Sequence, residues 1–83
     1  MKKRTKRETL VEMLEVLAEK PRKPTHLMYK ANLSHPRMKT LLEELSENEL
    51  VAEGEEEIRI TEQGRVFLHE YKKAQDLFDS FGI

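Results

Sequence analysis

With 83 residues and no cysteine, the chain has the length of one domain and offers neither disulfides nor thiolate metal ligands, a usage that fits a reducing cytoplasm. Fifteen Lys and Arg stand against sixteen Asp and Glu, a formal net charge of −1, so a uniformly basic or acidic polyelectrolyte is excluded. No apolar run is long enough for a membrane span, and the basic start lacks the apolar core of a signal peptide.

The near-neutral total hides a division. Residues 1–40 carry eleven Lys or Arg and four Glu, and residues 41–83 carry four Lys or Arg and twelve Asp or Glu. A basic working face on a neutral molecule accounts for this asymmetry; two simply well-solvated halves are the alternative. A domain of this size buries only ~60% of the surface its unfolded chain exposes, so it gains much from a partner subunit.

The chain opens with "KKRTKR", five basic residues within positions 2–7. Residues 1–5 read as a basic arm that touches phosphate, or as a tag-like tail. "TKRE" has the capping-box pattern, with Thr5 as N-cap and Glu8 reaching back. Leu10, Met13, Leu14, Leu17 and Ala18 then share one helical face, which predicts a first helix over Lys6 to Glu19. Pro21 and Pro24 end it and space it from the next element.

Thr25 is the expected N-cap of a short second helix, "HLMYKA", with Leu27, Met28 and Ala31 inward and Asn32 in the left-handed turn that closes it. Tyr29 is read as packing its ring in the core, the alternative being a hydroxyl contact to phosphate. Ser34 caps a third helix, His35 to Glu47, with Pro36 in its first turn, where a missing N–H costs nothing. Met38, Leu41, Leu42 and Leu45 form its apolar stripe. Two helices meeting across "ANLS" is the helix-turn-helix signature.

"LVAE" and "IRIT", joined by "GEEE", alternate with the period of a half-buried hairpin. Thr61 caps a last helix over Glu62 to Ser80. Gly64 in its first turn costs ~1 kcal/mol against alanine unless another backbone must come close, so it is read as a packing site. Phe67, Tyr71, Ala74, Phe78 and Phe81 are spaced 4, 3, 4, 3, a coiled-coil-like seam. Self-association of this helix is the expected reading; folding of the seam onto the first helix is the alternative. Leu68 and Leu77 lie off the seam and are expected to pack back onto the domain.

The order of elements is that of a winged helix-turn-helix: mainly α, with a small β-hairpin and a long C-terminal helix. "HLMYKANLSHPRMKTLLEELSENELV" followed by "IRITEQGRVFLHEYK" resembles the small archaeal winged-helix proteins, among them ArnR-like regulators and crenarchaeal chromatin-associated dimers with a C-terminal coiled coil. "MYKANLS" and "ITEQGRVFL" are the most specific segments. The resemblance implies a homodimer that binds double-stranded DNA in transcription or DNA organisation, with the third helix in the major groove and the last helix paired with its mate. The resemblance covers roughly residues 6–80, and the chain reads as a single domain made of a basic arm (1–5), a winged helix-turn-helix core (6–61) and a C-terminal helix (62–83). Members of the family often carry Gly where this chain has Glu49, and here Asn48 is expected to take the left-handed turn instead.

The recognition positions carried over are Ser34, His35, Pro36, Arg37, Lys39 and Thr40; the dimer positions are Phe67, Tyr71, Ala74 and Phe78, with Phe81 continuing the seam. Arg37 is the expected base reader, with Thr40 and His35 secondary. Lys30, Lys39, Arg22 and Lys23 are expected on phosphate, helped by Lys2, Lys3, Arg4, Lys6 and Arg7. The wing tip "EGEEE" is acidic, and Arg59 is the hairpin's one positive charge. A protein-interaction module and a non-specific chromatin-organising protein are the alternatives. His26, His35 and His69 have no metal-ligand spacing, no catalytic motif is present, and neither a cofactor nor a small-molecule ligand is expected.

Overall fold

The structure, a computed structural model, describes residues 4–83. Its elements are α1 (Lys6–Glu19), α2 (Pro24–Ala31), α3 (His35–Glu47), β1 (Val51–Glu53), β2 (Ile58–Ile60) and α4 (Glu62–Ser80). Met13, Leu14 and Leu17 of α1 meet Leu27 of α2, Met38 and Leu41 of α3 and Ile58 of the hairpin in a core closed to water. Leu10, Ala18 and Met28, expected in the core, lie half-buried at its margin.

Local chemistry sets the helix starts. At α1 the Thr5 hydroxyl accepts from the Glu8 N–H at 3.1 Å, and the Glu8 carboxylate accepts from the Thr5 N–H at 3.1 Å. This reciprocal cap satisfies two of the donors that a helix start leaves unpaired. At α3 the Ser34 hydroxyl accepts from the Arg37 N–H at 3.3 Å. α2 departs from expectation: its N-cap is Lys23, not Thr25, and Pro24 occupies the first turn. The fixed φ of proline suits that position, and the absent N–H needs no partner there.

Two helices end in the same ring. After α2, Asn32 sits at φ 55°, with its N–H on the Tyr29 carbonyl at 3.2 Å and the Leu33 N–H on the Met28 carbonyl at 3.0 Å. After α3 it is Glu49, at φ 60°, that takes the left-handed conformation; Asn48 stays at φ −90°. The Glu49 N–H donates to the Ser46 carbonyl at 3.0 Å and the Leu50 N–H to the Leu45 carbonyl at 2.9 Å. This is the Schellman arrangement, in which position relative to the last helical turn decides which residue goes left-handed. Asn48 instead turns its side-chain amide onto the Glu44 carbonyl at 2.8 Å.

β1 and β2 pair antiparallel, Val51 with Ile60, Ala52 with Arg59 and Glu53 with Ile58. Ile58 and Ile60 point inward and Arg59 outward, as the alternation requires. A single β-bridge adds Arg22 to their edge, unforeseen in the sequence: the Arg22 N–H donates to the Ile58 carbonyl at 3.0 Å and the Ile58 N–H donates to the Arg22 carbonyl at 2.8 Å.

The hairpin closes at a crowded junction. The Thr61 hydroxyl donates to the Glu49 carbonyl at 2.6 Å and accepts from the Gly64 N–H at 2.9 Å. The Thr61 N–H reaches the Leu50 carbonyl at 3.1 Å. A β-carbon on Gly64 would lie 2.1 Å from that same carbonyl oxygen and 2.7 Å from Ile60 Cγ1. Gly64 is therefore a site of close backbone approach, as its cost in a helix implied.

α4 packs over its first half only. Leu68 is buried and Tyr71 half-buried against the core. The Lys72 ammonium bonds Glu15 of α1 at 2.8 Å; that hydrogen bond first, and the Glu15 charge second, hold the lysine above its usual range. From Lys72 onward every residue is exposed. Leu77, expected to fold back, is 59% exposed, because it lies beyond the last turn that meets α1.

Two substitutions test these readings. Gly64→Ala forces a methyl into a carbonyl and is expected to cost roughly 3 kcal/mol. Glu49→Gly removes left-handed strain and is expected to stabilise by roughly 1 kcal/mol, raising Tm by about 4–8 °C. Thermal unfolding followed by circular dichroism reads both.

Candidate nucleic-acid interface

α3 offers two unlike sides. Met38, Leu41, Leu42 and Leu45 are buried. Ser34, His35, Pro36, Arg37, Lys39, Thr40, Glu43 and Glu47 are exposed. The cations thus stand at the first two turns, where the helix N–H groups also carry positive potential, and the carboxylates follow toward the C-terminal end. The Thr40 hydroxyl donates to the Pro36 carbonyl at 3.0 Å, so Thr40 presents its methyl and its oxygen lone pairs outward. The Ser34 oxygen is engaged as the helix cap.

α2 flanks this surface. Lys23 at its start and Lys30 in its last turn are both exposed. Tyr29, expected in the core, is 80% exposed. The helical period explains this: Leu27 and Ala31 lie inward one turn apart, and Tyr29, two residues from each, falls on the opposite side. That phase was the signal that would have found it.

Three of the expected phosphate cations are engaged elsewhere. Arg22 has a side chain only 10% exposed and donates to Glu19 at 2.7 Å. The Lys6 ammonium bonds Glu44 of α3 at 2.6 Å. The Arg4 guanidinium is bound to Glu12 and to the carbonyls of Ala31, at 2.7 Å, and Asn32, at 3.1 Å. Arg7 is exposed and borders a groove along α4 with Phe67, Tyr71 and Phe78. Lys2 and Lys3 lie outside the described residues. Arg59 stands exposed on the wing, beside the exposed Glu53, Glu55, Glu56 and Glu57. Of the expected contacts, Arg37, Lys39, Lys23, Lys30, Arg59 and Arg7 remain as exposed cations with no ion pair among the described residues.

His26, His35 and His69 are all exposed. Among the described residues no group of three or more His, Cys, Asp or Glu is placed to hold a metal ion, and no helix is long and apolar enough to cross a membrane.

Among the described residues the seam on α4 is only partly covered. Phe67 is 45%, Phe78 56% and Phe81 75% exposed, and Ala74 is exposed beside them. Only Tyr71 turns partly toward α1.

Two helices joined by a tight left-handed turn, a second helix with a cationic leading end, and a hairpin behind it define a helix-turn-helix domain of the DNA-binding class. The comparisons agree. The chain belongs to the winged helix-turn-helix family, whose model matches residues 3–79. It is similar in fold to the structure of wild-type ZitR from Lactococcus lactis, with a TM-score of 0.68 at 22% identity, over 98% of this chain and 60% of that one. The chain thus spans less than two thirds of that structure's length, and at this identity the likeness bears on the fold. No curated protein gives a significant match.

Proposed function

We propose that this protein is a transcriptional regulator that binds double-stranded DNA sequence-specifically as a homodimer. The observation that carries this reading is the division of α3, with its apolar side buried and Arg37 and Lys39 presented at its leading turns. On this reading the front of α3 enters the major groove. Arg37 reads a base edge, its guanidinium matching the paired acceptors of guanine. Thr40 and His35 contact neighbouring positions, Thr40 through its methyl and oxygen. Lys39, Lys30 and Lys23 neutralise phosphates and release counterions. The Tyr29 hydroxyl, on an exposed side chain of α2 next to Lys30, adds a donor to phosphate. The protein works on the nucleoid, in the cytoplasm, and needs neither a catalytic group nor a cofactor.

Pairing through α4 completes the reading. The exposed Phe67, Phe78 and Phe81 need cover, and their heptad-like spacing supports a mate with the same seam. The resemblance to small archaeal winged-helix dimers supports the same arrangement. A twofold pair sets its two recognition helices about 34 Å apart, one turn of the duplex.

The exposed carboxylates of Glu53, Glu55, Glu56 and Glu57 at the wing favour a second reading, a module that binds protein through the hairpin. Salt separates the two. With Lys23, Lys30 and Lys39 of both protomers on phosphate, log K against log salt should fall with a slope of about −5. A hairpin-docking module would show no duplex affinity even in dilute buffer.

Arg37→Ala is expected to cost roughly 1–3 kcal/mol and to relax preference at one base position while weak binding persists. Selection of bound duplexes from a random pool reads this, and an unchanged preference would remove Arg37 from the groove. Phe78→Asp, on a residue the core does not use, is expected to leave folding intact, to give a monomer in sedimentation and to weaken DNA binding. Wild-type protein that sediments as a monomer at working concentration would rule out the pairing.

A further inference from the structure

Arg4 lies two residues ahead of α1, yet its side chain closes the far end of α2. One guanidinium nitrogen donates to the Ala31 carbonyl at 2.7 Å and the other to the Asn32 carbonyl at 3.1 Å. Glu12 of α1 holds the same guanidinium by an ion pair. The residues joined are 27 and 28 positions apart in the chain.

The need for this contact follows from how α2 ends. Its closing ring uses the Met28 and Tyr29 carbonyls. The carbonyls of Ala31 and Asn32, further along the turn, fall outside that ring, where a helix C-terminus leaves acceptors and negative potential unmatched. A guanidinium is suited to both. Its two nitrogens fork onto successive carbonyls, and its charge opposes the dipole. An ammonium, a single point of charge, cannot span the pair in the same way. Asn32 is two residues ahead of Ser34, the cap of the recognition helix. The turn that aims α3 is therefore held on one side by its own backbone ring and on the other by Arg4.

We propose that Arg4 is a positioning residue: it fixes the Ala31–Ser34 turn, and through it the direction of the leading end of α3, and does not itself contact phosphate. This deepens the DNA-binding reading and rests on it for its functional half. It reverses the role that the basic composition of the arm implied for Arg4.

The test compares Arg4→Ala and Arg4→Lys in the full chain by two measurements. The first is amide hydrogen exchange in the absence of DNA. Both variants are expected to lose roughly tenfold in protection at Asn32 and Leu33 while the α1 and α3 interiors keep theirs. The second is duplex affinity across salt concentrations. Both variants are expected to bind roughly tenfold more weakly at every salt concentration, with the slope of log K against log salt unchanged. A phosphate contact would behave otherwise: the alanine variant would lose about 0.9 of slope per protomer and the lysine variant would regain it, and that result would overturn the proposal. Unaltered exchange at Asn32 and Leu33 would overturn it too, whatever happens to affinity. If the wild type binds no duplex at any salt, the DNA-binding reading fails before any variant is made and the positioning role fails with it, while exchange still reports whether the clasp exists.

Discussion

The carbonyl of Leu50 is the hard point of this fold. It receives the Thr61 N–H and lies where any β-carbon on Gly64 would have to be. The chain leaves α3 through a left-handed Glu49, drops Leu50 into the core and returns through the hairpin to the same spot. Thr61 ties the three pieces with one hydroxyl, donating to Glu49 and accepting from Gly64. α4 can start only there, pressed onto backbone rather than onto a deformable side chain. α3 ends, and α4 begins, within a few residues of one shared contact. The angle between the two is thus set by covalent geometry and hydrogen bonds more than by side-chain packing.

The same economy sorts the cations into two populations. Arg4, Lys6, Arg22 and Lys72 each hold a carboxylate on the domain's own surface. Ion pairs at a surface add little stability; what these do is keep elements in place. Lys6 holds α1 to the rear of α3, Lys72 holds α4 to α1, and Arg22, bridged to Ile58 of the hairpin, holds Glu19 at the end of α1. Lys23, Lys30, Arg37, Lys39 and Arg59 carry exposed charge with no ion pair of their own among the described residues. The charge asymmetry of the sequence is real, but Arg4, Lys6 and Arg22, three of the basic half's cations, serve the fold.

Features governed by neighbours in the chain were legible without coordinates. The Thr5–Glu8 capping box, the Ser34 cap, the left-handed Asn32 and the bare Gly64 each follow from a few adjacent residues. The apolar stripe of α3, and hence its exposed face, follows from the helical period. What escaped depends on phase or on distance. Tyr29 is outward because of its angle around α2, against the general tendency of its ring to be buried. Glu49 rather than Asn48 turns left-handed because ring closure counts residues and ignores their preference. The Arg22–Ile58 bridge and the Arg4 clasp join segments far apart in sequence, and nothing local announces either. For the candidate site, the positions presented on α3 were readable, whereas which lysines and arginines were already engaged was not.

The wing gives the molecule a sense of direction. Four carboxylates crowd its tip and margin within the five residues from Glu53 to Glu57, while α3 carries its cations at the opposite end of its length from its own glutamates. The wing tip and the leading end of α3 therefore carry potentials of opposite sign, and a chain whose formal charge is only −1 is an electrostatic dipole rather than a neutral body.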